Sequence, residues 1–202
     1  MEDVLWATFE HLQITFGGVL IAVAVGIGTG ILIVKHRKLA GIVMSATDVI
    51  QTFPSLALLA ILMMIFGLGD TTVIIALFLY SLLPIVRNTY VGLDGIDSGL
   101  VEAGVGMGMT KLQLLLKVKL PIALPVILSG IRVALVTALG IATIGVLIGS
   151  GGLGTFVYRG VQMANVRLIL TGAIPLSILA IGIDVLLEYA TGKMLKSKRR
   201  RM

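Results

Sequence analysis

Long apolar runs, separated by short polar or glycine-rich breaks, fill most of this chain of 202 residues. A helix needs about 20 mostly apolar residues to cross about 30 Å of hydrocarbon. Runs of that length predict five membrane-spanning helices, at 12–34, 41–66, 71–91, 122–148 and 168–191. No change in composition marks a second domain. The pattern therefore predicts an all-α polytopic membrane protein with a single transmembrane domain over residues 1–202.

The longest polar interruption covers residues 92–121, between the third and fourth predicted spans. Asp97 is suited to cap a helix, and the glycines and threonine of 106–110 favour a stop or a bend. A second helical piece over 111–120 then meets Pro121, whose missing N–H costs least at a helix start. We predict a short helix, a turn and another short helix outside the membrane.

Composition supports a membrane protein and excludes several kinds of site. Hydrophobic residues are 57% of the chain, charged residues are 13%, and the mean hydropathy is +1.09. A soluble domain of this length does not have room to bury so much apolar surface. There is no cysteine, which excludes disulfides and cysteine-ligated metals. His11 and His36 lie in different predicted helix ends or loops, so no metal site is predicted.

The net charge of +6 comes from basic residues at predicted helix ends, which argues against nucleic acid as a partner. With five spans, one side of the membrane receives Lys35, Arg37, Lys38, Arg87, Lys111, Lys117, Lys119 and the basic tail 193–202. By the positive-inside rule that side is cytoplasmic, as is the C-terminus, and the N-terminus is outside. The tail is expected to fix this topology and to touch anionic membrane lipid.

A spaced motif lies in the polar segment: Glu102-Ala103-Gly104, three residues, Gly108, nine residues, then Val118-Lys119-Leu120-Pro121. It resembles the cytoplasmic loop of permease subunits of ATP-binding-cassette (ABC) importers, which reads Glu-Ala-Ala, three residues, Gly, nine residues, Ile, any residue, Leu-Pro. The resemblance implies a coupling-helix loop that docks on an ATPase. The residues implied are Glu102, Ala103, Gly104 and Gly108, with Leu120 and Pro121 as framework. Gly104 and Val118 depart conservatively from the pattern.

Other segments resemble permeases of osmoprotectant uptake systems, which carry glycine betaine, carnitine, choline and related solutes. These segments are 51–57, 88–90, 106–109, 120–125 and 151–154. Close relatives of such permeases import other small molecules, including amino acids, or serve bile-related stress roles. These substrates remain alternatives.

The resemblance implies a multi-pass subunit of the cell membrane that is not itself an enzyme. Its implied partners are a cytosolic ATP-binding subunit that carries ATP and Mg²⁺, an extracytoplasmic substrate-binding protein, and a second permease that is a copy or a paralogue. No cofactor is expected on this chain, because none of its glycine-rich loops ends in Lys-Ser/Thr. Aromatic residues are only 5%, so the aromatic cage that holds quaternary ammonium ions is expected on the binding protein.

Polar residues and prolines inside the predicted spans are candidates to line a pathway, because they free or add polar groups in hydrocarbon. The candidate pathway residues are Gln51, Thr52, Pro54, Ser55, Ser81 and Pro84. A simple proline kink is the alternative explanation.

Three charged residues, Asp48, Arg132 and Asp184, fall at a similar depth in one leaflet, about 9–14 Å from the span ends. We predict that Arg132 pairs with Asp48 or with Asp184. Snorkelling of each side chain to the interface is the alternative.

Glycine is frequent in two other places. The loop at 149–154 is expected to be a flexible outer turn that meets a delivery protein. Gly26 and Gly30 have the spacing typical of close helix packing, and small residues also recur in the fourth span. The first and fourth spans are therefore predicted to pack closely at the centre.

The sequence argues against two other classes of function. A secondary transporter or channel working without ATP would favour ionisable groups near the midplane and inverted repeats, which the chain lacks. An intramembrane enzyme would need a catalytic cluster, and the sequence offers none.

Overall fold

The computed structural model describes residues 2–199, and within them the chain is helical with no strand. In chain order the helices are α1 Glu2–Ile33, α2 Arg37–Thr52, α3 Ser55–Phe66, α4 Asp70–Asp94, α5 Ser98–Gly106, α6 Lys111–Leu114, α7 Leu120–Ile144, α8 Gly154–Gln162 and α9 Val166–Arg199. A π-helical segment, Leu115–Lys119, joins α6 to α7. A 3-10 turn, Gly145–Ile148, extends α7. The expectation of an all-α membrane protein is confirmed.

Four stretches are long and apolar enough to cross a membrane: Glu2–Ile33, Asp70–Asp94, Lys111–Ile148 and Val166–Lys193. The second predicted span, 41–66, is not one continuous helix. It consists of α2 and α3, which meet at a bend of 98°. Pro54 has no N–H and restricts the residue before it to an extended conformation, so α2 ends at Thr52.

Helix α1 begins ten residues before its predicted start at residue 12. Glu2 and Asp3 lie in its first turn, where carboxylates stabilise the positive end of a helix. Helix α8, a nine-residue helix between the glycine-rich loop and α9, was not predicted. Its alternation of apolar and polar residues is too short to register as a span.

Helix α4 is the central helix, with α1 and α7 packed against it. The glycines of α1 face α4: a Cβ on Gly18 would lie 2.6 Å from the Leu77 Cβ, and one on Gly30 would lie 2.6 Å from the Thr89 Cβ. On the opposite contact, a Cβ on Gly130 of α7 would lie 2.5 Å from the carbonyl oxygen of Pro84. The small residues of the first and fourth spans do allow close packing, but both pack chiefly on the third span.

The bundle has two chemically different ends. The basic end comprises the last turns of α1 and α4, the start of α2, and the segment from α5 to Lys119; it carries Lys35, Lys38, Lys111, Lys117 and Lys119. The glycine-rich end comprises the loop at 149–154 and the starts of α1 and α4. Most of the basic tail at 193–202 lies outside the residues whose side chains are described, and 200–202 lie outside the described residues altogether.

Candidate functional site

The segment at 97–114 forms a capped helical hairpin at the basic end. The Asp97 carboxylate accepts hydrogen bonds from the backbone N–H groups of Gly99, at 2.7 Å, and Leu100, at 3.3 Å, and so begins α5. Thr110 and Gln113 then form a reciprocal capping box that begins α6. The start of each helix is therefore determined by capping residues within the hairpin itself.

Gly108 sets the direction of the turn between the two helices. Its φ is +77°, a left-handed conformation that glycine adopts without penalty and other residues adopt at a cost. Met109 donates its backbone N–H to the carbonyl of Gly104 at 3.1 Å, and Gly108 donates to Val105 at 2.9 Å. These bonds satisfy the last carbonyls of α5 and close its C-terminus.

The motif residues of α5 divide into an outer and an inner face. Glu102 and Ala103 are exposed, whereas Gly104 is buried. A Cβ on Gly104 would lie 2.6 Å from the Cδ1 atom of Leu114. The Leu114 side chain of α6 therefore occupies the space that an alanine methyl at residue 104 would need, which gives this departure from the family pattern a physical reason.

Leu120 and Pro121 connect this hairpin rigidly to the bundle. Leu120 packs on a core formed by Leu93, Ala123 and Ile127, and Pro121 lies in the first turn of α7. The sequence predicted a helical piece over 111–120 that meets Pro121 at the start of the fourth span. The structure instead has one helical stretch, from Lys111 to Ile148, with the π-helical segment inside it.

The break between α2 and α3 holds four of the six candidate pathway residues. Thr52 and Pro54 are exposed, and Gln51 and Ser55 are partly buried. The carbonyl of Phe53, left without a helical partner by the break, accepts a 2.5 Å hydrogen bond from the hydroxyl of Tyr80. Tyr80 was not among the predicted residues, although a tyrosine in an apolar span needs a partner for its hydroxyl.

The other two candidates, Ser81 and Pro84, are buried in α4. The Pro84 carbonyl accepts a 2.8 Å hydrogen bond from the side-chain amide of Asn88, and it also faces Gly130. In the described chain, the Ser81 hydroxyl has no hydrogen-bond partner. The six residues therefore do not form one exposed surface, because the α4 pair lies in the interior.

Two ion pairs join neighbouring spans. Arg132 of α7 hydrogen-bonds both carboxylate oxygens of Asp184 of α9, and its Nη2 atom lies 3.0 Å from Glu188. Asp48, the other partner considered for Arg132, instead pairs with Arg87 at 2.8 Å. The two pairs link α7 to α9 and α2 to α4. Glu188 was missed, although it lies one helical turn after Asp184.

The glycine-rich loop is held by carboxylates from two helices. The Asp70 Oδ1 atom accepts hydrogen bonds from the Ser150 hydroxyl, at 2.7 Å, and from the Gly151 N–H, at 3.3 Å. Glu10 accepts one from the Gly152 N–H at 2.8 Å. The expected free outer turn is thus tied to α1 and α4. Its consecutive N–H groups are the signal that was missed, since such loops bind anionic groups.

The two histidines lie at opposite ends. His11 is fully buried and its Nε2 atom lies 3.1 Å from the Leu139 carbonyl, whereas His36 precedes α2 at the basic end. Across residues 2–199, no group of three or more histidine, cysteine or acidic side chains is placed to hold a metal ion.

Comparisons with known proteins agree on one family. A family model described as "Binding-protein-dependent transport system inner membrane component" matches residues 18–196. The choline transport system permease protein OpuBD of Bacillus subtilis is 48% identical over 95% of this chain and 85% of its own length. The glycine betaine/carnitine/choline transport system permease protein OpuCD of the same organism is 47% identical over 98% and 87%. An inward-facing structure of the MetNI methionine ABC transporter superposes with a TM-score of 0.85 and 26% identity over 96% of this chain and 97% of that one.

Proposed function

Because the chain belongs to the family of binding-protein-dependent transport system inner membrane components, we propose that it is the permease of an ABC importer for quaternary ammonium osmoprotectants. Choline, glycine betaine and carnitine are the substrate class, since relatives at 47–48% identity are named for them. Like these relatives, the chain is a multi-pass membrane transport subunit and not an enzyme.

The exposed hairpin at the basic end is the observation that carries the mechanism. Beside Glu102 and Ala103, its surface presents large apolar side chains to solvent: Leu100, Val105, Met107 and Leu112, which are 44%, 60%, 71% and 64% exposed. Several large apolar side chains exposed on one short segment favour a protein partner. The proposed partner is the ATP-binding subunit, which supplies ATP and Mg²⁺.

The path of force follows from the same geometry. Movement of the partner would act on α5, whose inner face is fixed to α6 through Gly104 and Leu114. Because α6 continues without interruption into α7, displacement of the hairpin would be passed into the bundle. The chain's own contribution to transport is therefore mechanical, and the chemistry of ATP hydrolysis belongs to the partner.

The remaining parts of the proposal concern the membrane. A basic end facing the cytoplasm agrees with the positive-inside rule, which leaves the glycine-rich end for contact with a substrate-binding protein. A second permease, identical or paralogous, would complete the pathway. The exposed break at Thr52 and Pro54 is the part of this chain proposed to face that pathway.

Uptake measurements test the function directly. The chain would be expressed with its ATP-binding subunit, second permease and binding protein in cells that lack osmoprotectant uptake. Labelled choline, glycine betaine, carnitine and methionine would be compared. We expect uptake of quaternary ammonium solutes only, and none when the ATP-binding subunit is inactive. Uptake that persists without that subunit would contradict an importer, whereas uptake of methionine alone would change the substrate.

A pull-down of the ATP-binding subunit tests the hairpin surface. Val105→Ser combined with Met107→Ser should lower recovery of the subunit about tenfold, because an interface anchor typically contributes more than about 1 kcal/mol. Leu68→Ser is the control, since Leu68 is also an exposed apolar residue, at 72%. It lies near the glycine-rich end, because the N–H of the adjacent Gly69 donates a hydrogen bond to the carbonyl of Ile148. Equal recovery from both variants would contradict docking at the hairpin.

A further inference from the structure

An apolar cavity of about 290 Å³ at the basic end is bordered by three lysines, Lys35, Lys111 and Lys119. Its apolar wall comes from the last turns of α1 and α4 and from the π-helical segment, and includes Val34, Leu93 and Leu115. None of its lining residues belongs to α5. The cavity therefore shares Lys111 and Leu114 of α6 with the hairpin, but none of the exposed side chains proposed to bind the ATP-binding subunit.

Helical spacing places two of the lysines on one face. Lys111, Leu115 and Lys119 follow each other at intervals of four residues, and all three line the cavity. Lys117 has a different angular position and does not line the cavity. The π-helical segment lies between α6 and α7. Such segments are rare in proteins, and those that occur are often found at functional sites.

The three lysines are not neutralised within the described chain, where none of them forms an ion pair. A neighbouring cavity of about 320 Å³ shares Lys35 and Lys119 and is also lined by Asp94 and Glu102. These carboxylates are not within ion-pairing distance. Lys111 borders only the first cavity, so positive charge dominates there.

Depth selects the kind of ligand. The cavity lies where α1 and α4 end and where the apolar part of the Lys111–Ile148 stretch begins, which is the level of lipid head groups in a spanning protein. A free inorganic anion could bind the lysines but would make no favourable contact with the apolar wall. We infer that this cavity binds an anionic phospholipid, with its phosphate on the three lysines and the start of an acyl chain against Val34, Leu93 and Leu115.

Lipid retention by the full-length chain in detergent tests the inference without depending on transport. Native mass spectrometry would compare phosphatidylglycerol with phosphatidylcholine. Lys35→Gln/Lys111→Gln/Lys119→Gln should lower retained phosphatidylglycerol more than about tenfold, since each lysine near an anionic head group contributes about 1 kcal/mol, or about fivefold. Lys38→Gln/Lys117→Gln/Arg159→Gln removes the same charge outside the cavity and should retain it. Equal retention by both triple variants, or equal loss of both lipids, would overturn the inference.

Two further measurements distinguish loss of lipid binding from misfolding of the variant, and lipid from the ATP-binding subunit as the occupant of the cavity. Val34→Trp fills the cavity with all lysines intact, and it should also release phosphatidylglycerol; retention at the wild-type level would overturn the inference. A photo-crosslinking residue at Leu115, in the importer assembled in phosphatidylglycerol vesicles, should label lipid, whereas one at Lys117 should label it less. Crosslinks from Leu115 to the ATP-binding subunit instead of lipid would likewise overturn it.

Discussion

Single residues decide the two sharpest turns of the chain. At Gly108 a left-handed φ of +77° turns α5 into α6. At Phe53 and Pro54 the backbone leaves the helix altogether, and the hydroxyl of Tyr80 supplies the partner that the Phe53 carbonyl lost. In both places one substitution tests the physical cause, and the chain offers a matched neighbour as a control.

Gly108→Ala should destabilise the hairpin by about 1–2 kcal/mol, because a Cβ disfavours the left-handed conformation. Gly106→Ala should be neutral or slightly stabilising, since residue 106 is helical and a Cβ there would meet no other atom within 4 Å. Thermal unfolding of the purified variants, with recovery of the ATP-binding subunit, measures the difference. Equal stability would show that the turn does not depend on the glycine.

Tyr80→Phe should cost about 1–3 kcal/mol, because it leaves the Phe53 carbonyl without its hydrogen bond. Tyr90→Phe is the control on the same helix, since the Tyr90 hydroxyl makes no hydrogen bond to any described residue. Thermal unfolding in detergent compares the two. A larger loss at Tyr90 would contradict a structural role for the bond at the break.

At the scale of elements, α4 receives both of its large neighbours through glycines. This arrangement explains why the glycines of α1 that face α4, Gly18, Gly26 and Gly30, are eight and four residues apart, and why Gly130 faces Pro84. The backbone of α4 fills the space that side chains would otherwise occupy. The contact is consequently sensitive to any added atom on one face of α1 and insensitive on the other.

Gly18→Ala should therefore cost about 1–3 kcal/mol through overpacking. Its Cβ would lie 2.6 Å from the Leu77 Cβ and 2.8 Å from the Ile74 carbonyl oxygen, and neither atom can move easily. Gly28→Ala, on the open side of α1, should change stability little, since a Cβ there meets nothing within 4 Å. Thermal unfolding of both variants in the same detergent separates packing from helix propensity.

The pair of α7 and α9 supports a prediction of rank. Arg132→Gln leaves Asp184 and Glu188 together without a cation, whereas Asp184→Asn leaves Arg132 still bound to Glu188. Two uncompensated carboxylates within a span are the costlier arrangement. Arg132→Gln should therefore lower the amount of folded protein in the membrane more than Asp184→Asn. Quantitative immunoblotting of membranes measures both, and the reverse order would contradict the argument.

The elements were partly predictable because the signals are local. Apolar runs located the spans, Asp97 and the polar loop located α5, and the motif spacing is the basis for the docking face proposed on it. Partners across the bundle were not predictable, since nothing local states that Tyr80 reaches Phe53 or that Glu10 reaches Gly152. The break at Pro54 was recognised as an interruption, but its angle of 98° depends on packing against α4.

The whole molecule has a directional charge distribution, which makes its orientation testable. The chain has no native cysteine, so a single introduced thiol can be labelled without background. Gln162→Cys lies at the end of α8, beyond the glycine-rich loop, and Met107→Cys lies at the basic end. A membrane-impermeant maleimide should label Gln162→Cys in intact cells and Met107→Cys only after permeabilisation. The opposite pattern would reverse the proposed topology.

The uninterrupted stretch from Lys111 to Ile148 makes chain length a constraint in its own right. One residue added to an α-helix rotates everything beyond it by about 100° and advances it by about 1.5 Å. An insertion between Leu116 and Lys119 would therefore turn Gly130 away from the Pro84 carbonyl, or else turn α6 away from α5. The number of residues between α6 and Gly130 therefore fixes the orientation of the hairpin relative to the contact with α4. Substitutions along this stretch change its side chains, whereas a single insertion or deletion changes the rotation of one end relative to the other. The packing contact at one of the two ends is then lost.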